Sequence, residues 1–139
     1  MFLIDTNIVS EARKNRRANP GVTKFFASAA AENQAVYLSA ISVGELRRGV
    51  ELVRHRGDAE QAAQLEQWLD ALLASFSENI LPFDADAAQI WGRLRVPDAS
   101  QEIDKQIAAI AMAHGLVVVT RNIQDFSGTG VKLLNPFET

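Results

Sequence analysis

Short apolar runs recur along the chain and predict the strands of a buried sheet. They cover residues 2–4, 36–38, 80–83, 116–119 and 131–134. The first run shows no alternation of apolar and polar residues, which is typical of a strand buried on both faces. The fourth run favours β-structure most strongly because it is rich in valine. The last run is expected at an edge of the sheet.

The stretches between these runs have helical periodicity. They predict helices over residues 8–12, 22–31, 41–56, 59–76, 85–94 and 103–114. Asp84 is a typical N-cap and Gly115 a typical C-cap for the last two helices. The side chains expected to be buried along the last helix are Ile103, Ile107, Ile110 and Ala111.

Strands that are separated by helices imply parallel pairing with crossover connections. We therefore predict one α/β domain over residues 1–139, a three-layer α/β/α sandwich with a short parallel sheet. In such a sheet the residues that follow the strands meet at one edge, where ligands bind. These residues are Asp5, residues 39–45 and residues 120–125.

Composition narrows the possible functions. The 139 residues are 47% apolar and 22% charged, with no cysteine, so a disulfide framework and a cysteine-based zinc site are excluded. The net charge of −3 argues against nucleic-acid binding through bulk positive charge, although a nuclease can hold phosphate through a cation. The apolar runs are too short to span a membrane. We expect a cytoplasmic protein.

Four carboxylates fall at the predicted sheet edge, namely Asp5, Glu45, Asp104 and Asp125. Carboxylate oxygens are the ligands that Mg²⁺ and Mn²⁺ prefer. Like charges packed together are costly unless a cation neutralises them, so the cluster indicates a metal site.

Each carboxylate also has a purely structural interpretation. Asp5 is placed to cap the helix that follows it. Residues 42–45 have the spacing of a capping box, in which Glu45 would only stabilise a helix start. Asp104 lies near a helix N-terminus, where the helix dipole favours any acid. Asp125 lies in a polar turn.

Four segments, taken together and in order, resemble the motifs of PIN-domain ribonucleases, in particular VapC-type toxins of bacterial type II toxin–antitoxin pairs. The segments are residues 3–11 (LIDTNIVSE), 38–49 (LSAISVGELRRG), 103–111 (IDKQIAAIA) and 119–126 (VTRNIQDF). Residues 134–137 (LNPF) are similar to the FitB-like branch of that family. The resemblance extends over nearly the whole chain.

The resemblance implies a PIN fold and an Mg²⁺- or Mn²⁺-dependent endoribonuclease that inhibits translation and growth. It implies metal binding by Asp5 and Asp104, with Glu45 as the third catalytic acid. The supporting polar residues would be Asn7, Ser42, Thr120, Asn122 and Asp125. Many family members carry an acid at the position of Asn122, so this chain departs from the pattern there, and Asp125 is the nearest carboxylate that would compensate.

Substrate RNA needs positive charge beside an acidic pocket. The candidate phosphate contacts are Arg13, Lys14, Arg16 and Arg17 in a basic loop, together with Lys105. The alternative for the loop is a solvated segment without a ligand.

The resemblance also implies partners. These are a VapB-type antitoxin, whose tail often places an arginine in the acidic pocket, and a second copy of the chain in a homodimer. The apolar stripe of the predicted hairpin, Trp68, Leu69, Leu72 and Leu73, would supply the dimer surface or else fill the monomer core.

Three other functions compete with the toxin interpretation. The first is a degenerate PIN module, weakened by Asn122, that acts only by binding RNA or protein. The second is a phosphatase with an aspartyl nucleophile, which is disfavoured because Asn7 stands where a second aspartate is expected. The third is a dinucleotide-binding domain, which is disfavoured because no glycine-rich turn follows the first strand.

Overall fold

Five short strands form one parallel sheet, as the computed structural model of residues 1–138 shows. The strands are β1 (Phe2–Ile4), β2 (Val36–Ser39), β3 (Ile80–Leu81), β4 (Val117–Val119) and β5 (Leu133–Leu134). Their order is β3-β2-β1-β4-β5, with every neighbouring pair parallel. The predicted strands are confirmed with slightly different ends, and the edge position of β5 is confirmed. Thr139, the last residue of the predicted domain, lies outside the described residues.

In the described part of the chain, six α-helices connect and cover the strands. They are α1 (Thr6–Ala12), α2 (Pro20–Ala31), α3 (Ala40–His55), α4 (Ala59–Ser75), α5 (Ala85–Leu94) and α6 (Glu102–His114). Asp84 caps α5 by accepting from the Ala87 N–H, and Gly115 ends α6 with a φ of 65°, so both predicted caps are confirmed. None of the helices described over residues 1–138 combines the length and the hydropathy that a membrane span requires.

Alternate residues of the central strands face two separate hydrophobic cores, because side chains in a strand point to opposite faces. Leu3 of β1 and Val118 of β4 pack with α5 and α6. Ile4 and Val119 pack with helices α1 to α4. The sheet is therefore covered on both faces, as predicted for a three-layer sandwich.

The apolar stripe of the hairpin formed by α3 and α4 belongs to the second core. Leu69 is fully buried, and Trp68, Leu72 and Leu73 pack against that core while partly buried. The structure therefore favours the core-filling alternative for these residues over a dimer surface.

The prediction that Ile103 is buried is wrong. Its side chain is 46% exposed, whereas Ile107, one turn further along α6, is fully buried. Ile103 lies in the first turn of the helix, where Glu102 is also exposed and full burial begins only at Lys105.

This contrast predicts different costs of truncation within one helix. We expect Ile107→Ala to lower the free energy of unfolding by about 2–5 kcal/mol, because it leaves a cavity in the core. The matched control Ile103→Ala should cost less than about 1 kcal/mol, as exposed positions usually do. Urea unfolding measures both values, and equal costs would contradict the assignment of the core.

Candidate active site

An open cleft of about 410 Å³ lies at the carboxyl edge of the sheet. Its lining consists of Asp5, Thr6, Asn7, Ser10, Glu11, Lys14, Glu45, Asp104 and Asn122. The Asp5 N–H donates a backbone hydrogen bond of 2.9 Å to the Val119 carbonyl, which holds Asp5 beside the end of β4. Three of the four predicted carboxylates thus line one cleft, although they come from separate elements.

Asp5 is both a helix cap and the buried acid of the cleft. It is 6% exposed. Its Oδ1 accepts from the Thr6 N–H at 2.8 Å, while its Oδ2 accepts from the Thr120 hydroxyl at 2.9 Å and the Asn7 amide at 3.3 Å. Burial raises the pKa of Asp5, the hydrogen bonds from the Thr120 hydroxyl and the Thr6 N–H oppose the rise, and the charge of Asp125 adds to it. The structural and functional interpretations of Asp5 are therefore compatible.

Thr120 organises the polar residues beneath Asp5. Its hydroxyl donates to Asp5 and accepts from the Asn7 amide at 3.2 Å and from the Asn122 N–H at 3.1 Å. The side-chain oxygen Oδ1 of Asn7 accepts in turn from the Arg121 backbone N–H at 3.2 Å. Asn7, Thr120 and Asn122, which the sequence predicted as supports, are thus joined in one network.

Glu45 reaches the cleft from the second turn of α3, where its Oε1 accepts from the Thr6 hydroxyl at 2.9 Å. The capping-box interpretation is wrong, because Ser39 caps α3 by accepting from the Ser42 N–H at 3.0 Å. Ser42 itself is buried against Ser39 and does not line the cleft. It supports the start of α3 and makes no bond with the carboxylates among the described residues.

Asp104 is the third residue of α6 and is half-buried. Burial, followed by the charges of Asp5, Asp125 and Glu45, raises the pKa of Asp104 to about 6. Asp125 lies in a 3₁₀-helix, Ile123–Phe126, and acts on the cleft electrostatically without lining it. All four predicted carboxylates therefore share one electrostatic environment.

The predicted basic residues divide into different environments. Lys14 lines the cleft and forms an ion pair with Glu11 at 2.9 Å. The Arg13 guanidinium lies 5.8 Å from the centre of the Trp68 ring. Arg16 and Arg17 are exposed in a 3₁₀-helix, Asn15–Arg17. Lys14 is thus the basic-loop residue that reaches the cleft.

The interpretation of Lys105 as an RNA contact is contradicted. Its side chain is buried, with 6% of the residue exposed, and its ammonium group donates to the Asp98 carbonyl. On α6 it follows Asp104 by about 100°, so it points to the loop before the helix and not into the cleft.

Three lining residues were not predicted as site residues, namely Thr6, Ser10 and Glu11. Ser10 and Glu11 follow Asn7 by three and four positions, which places them on the same face of α1. This helical spacing would have identified them. Thr6 has no such signal, because its partner Glu45 is 39 positions away.

The chemistry of the donor set fits a divalent cation. Several carboxylate oxygens face one cleft, and their mutual repulsion is the condition that a cation relieves. Among residues 1–138, no three acidic or histidine side chains stand close enough to enclose an ion by themselves. Mg²⁺ keeps several waters and usually takes one or two protein carboxylates, so two of the lining carboxylates could hold it.

Known proteins share this sequence pattern. The family model described as the PIN domain matches residues 2–131. Toxin FitB of Neisseria gonorrhoeae is 37% identical over 142 residues, which cover 99% of both sequences. A VapC ribonuclease of Sinorhizobium fredii is 32% identical over 143 residues and again covers 99% of both.

Solved structures share the fold. The crystal structure of FitAcB from Neisseria gonorrhoeae matches with a TM-score of 0.85 at 34% identity and covers 100% of both chains. A toxin–antitoxin complex from Klebsiella pneumoniae matches with a TM-score of 0.68 at 26% identity, also over 100% of both chains. The predicted α/β sandwich is confirmed by these similarities.

Removing the Asp104 charge should stabilise the metal-free protein above pH 6. A folded-state pKa of about 6, raised from 3.8, means that the wild type loses stability as pH rises through this window. We expect Asp104→Asn to raise the free energy of unfolding at pH 7.5 by roughly 1–2 kcal/mol, after allowance for solvent screening. The gain should disappear near pH 3.5.

Urea unfolding in the presence of chelator measures this effect. Asp58→Asn, at the exposed N-cap of α4, is the matched control outside the cleft. An Asp104→Asn variant that is less stable than the wild type at pH 7.5 would show that the helix dipole outweighs the repulsion.

Proposed function

The chain belongs to the PIN-domain family, and we propose that it is an Mg²⁺- or Mn²⁺-dependent endoribonuclease, the toxin of a type II toxin–antitoxin pair. The observation that carries the proposal is the convergence of Asp5, Glu45 and Asp104 on one cleft. Ribonuclease activity is supported by the VapC ribonuclease that is 32% identical over the full chain. The expected result of the activity is inhibition of translation and growth.

Asp5 and Asp104 would hold the cation through their carboxylate oxygens. A bound divalent cation supplies positive charge to the scissile phosphate and acidifies water. Asn122, which lines the cleft without charge, favours one protein-bound cation over two, although Asp125 lies within electrostatic range.

The remaining residues of the cleft have separate roles. Glu45 would be the third carboxylate that faces the cation, and it would also orient the attacking water toward phosphorus. Thr120 and Asn7 hold the Asp5 carboxylate, so its orientation is fixed before substrate binds. Lys14, which also lines the cleft, would exchange its ion pair with Glu11 for a substrate phosphate.

A small antitoxin of the VapB type is the proposed partner. The matching structure from Klebsiella pneumoniae is a toxin–antitoxin complex. A cleft lined by four carboxylates, of which only Glu11 is paired with a lysine of the cleft, is complementary to a guanidinium, so an arginine from the antitoxin would block the site electrostatically. A homodimer remains part of the proposal, and Leu69, which is fully buried in the monomer core, would not contribute to its surface.

The second candidate function is a PIN module that binds RNA or protein without turnover. The neutral Asn122 in the cleft is the observation that favours it. Metal-dependent cleavage distinguishes the two functions, because RNA binding alone is expected from both.

The first test incubates purified, antitoxin-free protein with total cellular RNA in Mg²⁺, in Mn²⁺ and in chelator. We expect discrete fragments that require metal and a loss of rate of about 100-fold or more in Asp5→Asn, because the buried charge is lost. Asp84→Asn is the matched control, since Asp84 also caps a helix but lies outside the cleft. Cleavage that survives both chelator and Asp5→Asn would refute the proposal, whereas intact RNA would favour the binding module.

The second test addresses the partner in bacterial cells. Induced expression of the chain should arrest growth, and expression of Asp5→Asn should not. Co-expression of the small protein encoded beside the chain should restore growth. That small protein should also co-purify with the chain. If Asp5→Asn arrests growth as strongly as the wild type, the toxicity does not depend on the cleft.

A further inference from the structure

We propose that Thr6 is a positioning residue, whose hydroxyl aligns Glu45 with Asp5 so that both carboxylates act on one divalent cation. This inference rests on the proposed function and deepens it by assigning a role to a residue outside the predicted acidic and supporting set.

Thr6 contacts both carboxylates through different atoms. Its backbone N–H donates to Asp5 Oδ1 at 2.8 Å, and its hydroxyl donates to Glu45 Oε1 at 2.9 Å. Asp5 follows β1, whereas Glu45 belongs to α3, so the residue connects two elements that only the fold brings together. Thr6 also lines the cleft itself.

The hydroxyl contact matters because Glu45 has few other restraints. Within residues 1–138, the Thr6 hydroxyl is the one hydrogen-bond partner of the Glu45 carboxylate. A glutamate side chain has three rotatable bonds and loses considerable conformational entropy when it is fixed. Threonine is stiff at χ1 because it is branched at Cβ, so its hydroxyl provides a well-placed donor at little entropic cost. A hydrogen bond to a charged acceptor is also stronger than a neutral one.

The purely structural alternative is that Thr6 serves only as the first residue of α1. That role depends on the backbone N–H, which bonds Asp5 whatever the side chain is. Thr6→Val keeps the backbone bond and the side-chain shape but removes the hydroxyl. Thr6→Ser keeps the hydroxyl, so the two variants separate the alternatives.

The experiment measures Mn²⁺ affinity by calorimetry, without RNA, at pH 7.5. We expect Thr6→Val to weaken Mn²⁺ binding about tenfold to a hundredfold, the usual effect of losing a residue that orients a metal ligand. Thr6→Ser should restore the affinity to within about threefold of the wild type. Thr23→Val, on the exposed side of α2, is the matched control and should leave the affinity unchanged.

A double-mutant cycle with Glu45→Ala tests whether Thr6 acts through Glu45. Once Glu45 is absent, Thr6→Val should have no further effect on Mn²⁺ affinity, so the two losses should not add. Circular dichroism and urea unfolding establish that every variant is folded. Full additivity, an unchanged affinity in Thr6→Val, a failure of Thr6→Ser to restore it, or a wild type without Mn²⁺ affinity would each overturn the inference.

Parallel RNA-cleavage assays separate this inference from the proposed function. Weakened Mn²⁺ binding by Thr6→Val in a protein that cleaves no RNA would support the role of Thr6 and overturn the ribonuclease. Metal-dependent cleavage by the wild type, with unchanged Mn²⁺ affinity in Thr6→Val, would support the ribonuclease and overturn the role of Thr6.

Discussion

The parallel pairing of β1 with β2 on one side and β4 on the other is the constraint on which the candidate site depends. It makes the carboxyl ends of these three strands adjacent, so Asp5, the start of α3 and the turn after β4 meet at one edge. The helices packed on both faces then bring Glu45 and Asp104 to the same edge from different directions. Without this pairing the acidic residues would be isolated helix caps and surface charges.

The same convergence creates an electrostatic conflict. Burial and neighbouring carboxylates raise the pKa values of Asp5 and Asp104, which means that the folded chain concentrates negative charge against a cost. Hydrogen bonds from Thr6, Asn7 and Thr120 offset part of that cost at Asp5. A cation would offset more, and functional sites commonly retain such destabilising arrangements while the rest of the fold supplies stability.

Much of the fold was predictable from the sequence, because its signals are local. The apolar runs identify the strands, and Asp84 and Gly115 mark helix ends that the structure confirms. The wrong predictions concern residues whose environment depends on parts of the chain outside the local sequence pattern. Periodicity places Ile103 on the core face of α6 but does not show that the first turn of this helix is exposed. Lys105 is buried because the loop before α6 supplies the Asp98 carbonyl as its acceptor. Ser39, and not Ser42, caps α3 because the helix begins directly after β2 ends. The contact between Thr6 and Glu45 joins positions far apart in the chain, so only the structure reveals it.

The central claim is that the acidic cleft holds a divalent cation between Asp5 and Asp104. The most direct test is an anomalous difference map, collected near the manganese absorption edge, from a crystal of the protein grown with Mn²⁺. The account predicts a peak in the cleft, about 2.0–2.3 Å from one carboxylate oxygen of each residue, as oxygen ligands of such cations lie. A map whose manganese peaks all lie outside the cleft, at full Mn²⁺ concentration and with both carboxylates ordered, would contradict it.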